Sequence, residues 1–140
     1  MIGEFIGDNR FLSNFWPVLG SLTAEHLYQA AKTPDIQAQR AVLMAHTPGT
    51  AKRLGRSMPI RRDWEDIKLD VMLGVLRWKF SFPELRQLLR QTGNHELVEG
   101  NHWHDLFWGI CLSCSKHVFI MQGENHLGKA LMKVREEICQ

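Results

Sequence analysis

The chain is 140 residues long with 44% hydrophobic and 23% charged side chains, a balance that excludes disorder and supplies enough apolar surface for one core. A formal net charge of +2 falls short of the basic excess of a dedicated nucleic-acid binder. No apolar run approaches the ~20 residues of a membrane span, and "MIGEFIGDNR" lacks the basic-then-apolar order of a secretory leader. A single cytoplasmic domain over residues 1–140, with no membrane partner, is therefore expected. Cys111, Cys114 and Cys139 cannot all pair, and in that compartment the thiols are expected to stay reduced.

The first twenty-two residues read as short strands and loops, with Asn14 between aromatics in "FLSNFWP" and no helix. From Thr23, a helix N-cap, Ala24, Leu27, Tyr28 and Ala31 follow helical spacing until Thr33-Pro34 stops it. Asp35 caps a second helix to about Ala45. Thr47-Pro48 opens a short basic third helix ending near Gly55. Asp63 caps a longer helix that repeats Trp64, Ile67, Val71, Val75 and Trp78 toward a core. Ser81 and Glu84 have capping-box spacing before a helix that Gly93 ends. The pattern then changes: "ELVE", "LFWGICL" and "HVFIM" are short strands or extended loops, before a last helix from about Asn125 to Ile138. The expected class is α+β, mainly helical, with a small β-sheet.

Two motifs invite over-reading. "GENHLGKA" approaches a phosphate-binding G-x-x-x-x-G-K-[ST] loop, but Ala130 has no hydroxyl for Mg²⁺ and too few residues follow for the strands of a nucleotide-hydrolysing sheet. What survives is a helix start beside Lys129, where unsatisfied amides favour an anion. His102, His104, Cys111, Cys114 and His117 are all zinc-competent types, yet the second distant ligand pair of a structural zinc site is missing. Cys111 and Cys114 would also diverge on a straight strand, so buried thiols and hydrogen-bonded imidazoles are expected rather than a metal. The basic stretch Lys52, Arg53, Arg56, Arg61 and Arg62 suits phosphates, or is a solvated face.

Glu25, Gln29 and Lys32 share one face of the first helix. On an exposed helix they form a weak ladder worth a few tenths of a kcal/mol, about 0.2–0.5 per pair. As a catalytic face they offer groups for sugar hydroxyls, for charge at an anomeric carbon, and a nucleophile or acid. "LVEGNHWHDLFWGI" places Asp105 between Trp103 and Trp108, with Glu99 and Asn101 nearby. Indole faces stack on heterocyclic bases, and a carboxylate beside them can stabilise an oxocarbenium-like sugar or activate water. The competing reading is an aromatic core in which Asp105 caps a turn.

Taken in order, "FLSNFWP", "AEHLYQAAKT", "AKRLGR", "DWEDIKLDVM", "TGNHELVEGNHWHDLFWGI" and "GENHLGKALMKVR" resemble the successive motifs of the NADAR (NAD and ADP-ribose), or YbiA-like, family over residues 5–135. The resemblance implies a compact, mainly helical α+β fold and an N-glycosidase needing no cofactor or metal. Its substrate would be a ribosylamino-pyrimidine phosphate of early riboflavin synthesis, or ADP-ribose joined to guanine, including ADP-ribosylated nucleic acid. The E-x-x-Y-Q-A-x-K motif falls on Glu25, Tyr28, Gln29, Ala30 and Lys32, and W-x-D-x-x-W-G on Trp103, Asp105, Trp108 and Gly109. Catalysis is thereby assigned to Glu25, Lys32 and Asp105, and substrate binding to Asn14, Tyr28, Gln29, Arg56, Trp103, Trp108 and Asn125, with Glu99 added for its place near Asp105 in the sequence. His104 stands where many relatives have glycine. The alternative is a module that senses NAD or ADP-ribose without cleaving it.

Overall fold

The computed structural model describes residues 1–114 and 122–140. The "HVFIM" segment and His117 lie outside the described residues. The chain organises into two compact units, one of residues 14–79 and one of residues 1–13 with 80–140.

In the central unit, strands β1 (Pro17–Leu19) and β2 (Leu22–Thr23) form a short antiparallel hairpin whose turn uses Gly20 at φ 60°. Four helices follow: α1 (Ala24–Ala31), α2 (Ile36–Leu43), α3 (Pro48–Arg56) and α4 (Trp64–Lys79). The predicted caps hold, because Thr23, Asp35 and Thr47 each accept backbone N–H groups from the first turn they precede. Asp63 also precedes its helix, and its carboxylate takes a forked pair from Arg61. Helices α2, α3 and α4 all pack on α1, burying Ala30, Val42, Ala45 and Ala51 in a small-residue core sealed by Leu54 and Met58. Small side chains let α2 and α3 approach α1 closely. Trp64 is buried and Trp78 is half-buried.

The other unit begins with a 3-10 helix, Gly7–Leu12, where the sequence pattern predicts only strands and loops. Its 3-10 winding has no 3.6-residue stripe to find, and its buried Phe11 and Leu12 are adjacent in sequence. Helices α5 (Pro83–Gln91) and α6 (His126–Ile138) pack together, and the Arg90 guanidinium donates to the Ile138 carbonyl at 2.7 Å. The Ser81 capping box is not realised, since Phe82 stands at the cap position with no side-chain cap bond. Pro83 is the reason: it suits the first helical position and holds the residue before it extended, here at ψ 127°. Gly93, at φ 59°, ends α5 as expected. Strands β3 (Gly100–Asn101) and β4 (Ile110–Cys111) pair in parallel, so among the described residues the named strands form two short pairs, beside isolated bridges of Ile2 with Leu97 and Cys111 with Gln122.

Candidate active site

The polar face of α1 is not solvated. Glu25 is 7% exposed and Gln29 4% exposed, which decides against a surface ion-pair ladder and leaves a buried polar chain to explain. Gln29 Nε2 donates to Glu25 Oε1 at 2.8 Å, and Lys32 Nζ donates to Gln29 Oε1 at 3.1 Å. One amide thus links a carboxyl to an amine through both of its ends, which fixes the amide's orientation.

Burial pushes the Glu25 carboxyl above its ordinary range, against the opposing pull of the Gln29 hydrogen bond and of Lys52, Lys32 and His26. Burial likewise pushes the Lys32 amine down, opposed by Glu25 and reinforced by Arg56 and Lys52. Each group is moved toward its neutral form, the condition for proton transfer or nucleophilic attack near neutral pH.

The neighbours of this chain are specific. Gly55 of α3 faces Gln29, and a β-carbon there would overlap the Gln29 amide. Asn14 is buried, its carbonyl accepts from Glu25 N–H at 3.1 Å, and its side-chain Oδ1 has no hydrogen-bond partner among the described residues. An unsatisfied buried acceptor of this kind invites a ligand hydroxyl or water. Arg56 is exposed, and its charge reaches Lys32. Tyr28 is buried against Trp64, ring centroids 5.2 Å apart, and so serves packing at least.

Sequence reasoning passed over His26. Its Nε2 lies 2.9 Å from the Ala45 carbonyl, which can only accept, so Nε2 carries the proton and Nδ1 accepts from the Thr23 backbone. This fully buried imidazole ties the start of α1 to the chain after α2. The reasoning also missed Lys52 as a neighbour of both Glu25 and Lys32, and its only signal was the basic stretch.

In the other unit, Asp105 Oδ1 accepts from the N–H groups of Phe107 at 3.1 Å and Trp108 at 2.9 Å. The turn-capping reading of Asp105 is therefore correct as far as one oxygen goes. Fully buried Asn101 organises the same loop: its Oδ1 accepts from Asp105 N–H, and its Nδ2 donates to the carbonyls of Asp105 and Ile110. Trp103 is 64% exposed, a free indole face, whereas Trp108 packs edge-on against Phe107. Glu99 is half-buried and pairs its backbone N–H with Asn125 Oδ1 at 3.0 Å. Asn125 also donates to the Leu97 carbonyl, so its side chain ties the one segment 97–99 to the start of α6, at a left-handed φ of 53°. The anion site expected at the start of α6 is not available there, because Asn125, His126 and Leu127 N–H groups donate to the carbonyls of Gly109, Phe107 and Trp108.

Cys111 and Cys114 are joined in a disulfide, contrary to the expectation of separate reduced thiols. The strand ends at Cys111 and the chain bends through Leu112 and Ser113, bringing the two Cα atoms to 5.5 Å instead of letting the side chains diverge.

Comparison with known proteins defines the class. The NADAR domain family model matches residues 8–139, and the chain belongs to that family. It is 37% identical over 127 residues to N-glycosidase YbiA of Escherichia coli (strain K12), covering 89% of this chain and 71% of that protein. An NMR structure of E. coli YbiA matches with a TM-score of 0.79 at 35% identity, over 99% of this chain and 84% of that one. A riboflavin biosynthesis protein of Vibrio vulnificus (strain YJ016) is 41% identical over 141 residues. That match covers 94% of this chain but only 36% of the Vibrio protein, and a match to a chloroplastic riboflavin biosynthesis protein of Zea mays covers only 20% of that protein. Among the described residues, no helix is long and apolar enough to cross a membrane.

Proposed function

We propose that the chain is an N-glycosidase that hydrolyses the bond between a heterocyclic base and a ribose phosphate. The observation that carries this reading is the buried Glu25–Gln29–Lys32 chain, in which a carboxyl and an amine are both moved toward neutrality. Relatives named N-glycosidase support the reaction class, and relatives named riboflavin biosynthesis proteins support a ribosylamino-pyrimidine phosphate as substrate. ADP-ribosylated guanine, free or in nucleic acid, is the second substrate in this proposal, and the setting is the cytoplasm.

In the water route, ionised Glu25 takes a proton from water as the water oxygen bonds C1′, and that proton is passed to the base nitrogen as the C1′–N bond breaks. Asp105 is proposed as a second catalytic carboxylate that offsets positive charge on the sugar. In the amine route, neutral Lys32 Nζ attacks C1′, the base departs protonated, and the ribose ring opens to a Schiff base that water then hydrolyses. The lowered Lys32 pKa favours the amine route. Binding residues in either case are Asn14, Gln29, Arg56, Glu99 and Trp103, with Tyr28, Trp108 and Asn125 shaping the elements that carry them.

The test offers a ribosylamino-pyrimidine phosphate and an ADP-ribosylated guanine oligonucleotide to the wild type and to Glu25→Gln, Lys32→Ala and Asp105→Asn. Release of free base by the wild type is expected, with a borohydride-trapped covalent adduct that Lys32→Ala abolishes. Binding of either compound without base release, unaffected by all three substitutions, would establish the sensor reading instead.

A further inference from the structure

We infer that His104, Cys111 and Cys114 form a thiolate metal site, with Zn²⁺ as its natural class of occupant, that exists in the reduced protein and is closed by the disulfide. His104 Nδ1, Cys111 Sγ and Cys114 Sγ all lie within 4.8 Å of one another. Ligands of a tetrahedral zinc, at roughly 2.3 Å for sulfur and 2.0 Å for nitrogen, sit about 3.5–3.8 Å apart, so small side-chain rotations bring these three to coordinating distance. Two cysteines and one histidine make a ligand set that zinc accepts, with a fourth position open to water or another ligand.

Two independent features argue that the convergence is built. His104 has φ 67°, a backbone conformation that disfavours a β-carbon, and its ring is aimed at Cys114 Sγ at 2.7 Å. The neighbouring His102 is held elsewhere, with Nδ1 against Ser113 Oγ and Nε2 against Glu4, so the loop separates the two imidazoles and presents only one to the cysteine pair. Cys111 is 2% exposed while Cys114 is half-buried, which shelters one ligand and leaves the other reachable by thiols.

The chemistry balances simply. A thiol reductant supplies two electrons and two protons to open the disulfide, forming its own disulfide. Zn²⁺ then binds both sulfurs and displaces two protons. Because residues 101–114 also carry Asp105, metal or disulfide would each brace that loop, but the site does not depend on the glycosidase reading.

The test uses the full chain, reduced and freed of metal by a chelator, then titrated anaerobically with Co²⁺ and Zn²⁺. One equivalent of Co²⁺ with a thiolate-to-metal charge-transfer band, bleached by Zn²⁺, is expected. Cys139, exposed and free, serves as the control: Cys139→Ser leaves the band unchanged. Cys114→Ser diminishes it, and protein oxidised with diamide shows none. His104→Gly relieves rather than strains the backbone and should weaken Zn²⁺ at least about tenfold, since even outer-sphere partners of metal ligands are worth that much. A missing band in protein whose thiols titrate as reduced, or Zn²⁺ affinity indifferent to His104→Gly, would overturn the site.

Discussion

Gly55 and Gln29 fit together as a key and its slot: the missing side chain of one leaves the space that the amide of the other fills. That amide is the link between Glu25 and Lys32. Gly55→Ala should therefore break the chain, lowering turnover on a ribosylamino-pyrimidine phosphate and destabilising the fold by about 1–3 kcal/mol through overpacking. Gly74 is the contrast, an exposed helical glycine of α4 with open space where its β-carbon would be. Gly74→Ala should stabilise by about 0.5–1 kcal/mol and leave turnover unchanged. Urea denaturation and steady-state kinetics on the pair check both.

Glu25 sets the pH behaviour. Its folded-state pKa lies above the ordinary 4.5 because burial penalises the charge. The stabilisation this represents is fully present below 4.5 and is lost as pH rises through the folded value, beyond which the wild type carries an ionised buried carboxylate. Glu25→Gln keeps a hydrogen-bonding group without the charge. Its melting temperature minus that of the wild type should thus grow as pH rises from 4.5 toward neutrality. A difference that stays flat over that window would mean that Glu25 titrates as an exposed carboxylate does.

Lys32 offers a matching readout that needs no substrate. Because its amine lies below the ordinary 10.5, a larger fraction is neutral at mildly alkaline pH than for a surface lysine. Cyanate labelling followed by peptide mass spectrometry should show Lys32 modified at lower pH than Lys133, an exposed lysine of α6. Glu25→Gln removes the charge that holds the proton on, and should increase Lys32 labelling. Arg56→Gln removes a repelling charge and should decrease it.

How far the sequence reaches can be judged on α1 itself. The Thr23 cap places the helix start to the residue, and periodicity with Thr33-Pro34 places its end within two residues, because these are local properties of the chain. Periodicity cannot say that α2, α3 and α4 pack on it, so the same Glu25, Gln29 and Lys32 spacing reads equally as a solvated ladder or a buried site. Burial comes from tertiary packing, and only the family motifs, which weigh residue identity rather than pattern, separated the two. His26 and Asn101 escaped for a related reason: their work is to satisfy backbone groups distant in sequence or hidden in a turn, and no spacing signals that. The cysteines failed differently, through the assumption of a straight strand where the chain bends.

Asp105 combines a structural and a proposed catalytic role, and two substitutions separate them. Its Oδ1 caps the turn by accepting from Phe107 and Trp108 N–H groups, a task that asparagine performs nearly as well as aspartate. Asp105→Asn should therefore change stability by only a few tenths of a kcal/mol, about the spread among good cap residues, while base release falls on the order of 100-fold or more for loss of a catalytic carboxylate. Asp105→Ala removes the acceptor as well and should cost about 0.5–2 kcal/mol in addition to the activity. Asn101→Ala acts on the same loop from the buried side, leaving the Asp105 and Ile110 carbonyls without their donor. It should destabilise by about 1–3 kcal/mol for a buried group left unsatisfied. Urea midpoints and kcat for the three variants decide the matter: full activity in Asp105→Asn with lost stability in Asp105→Ala would confine this residue to the turn and leave Glu25 and Lys32 to carry the chemistry.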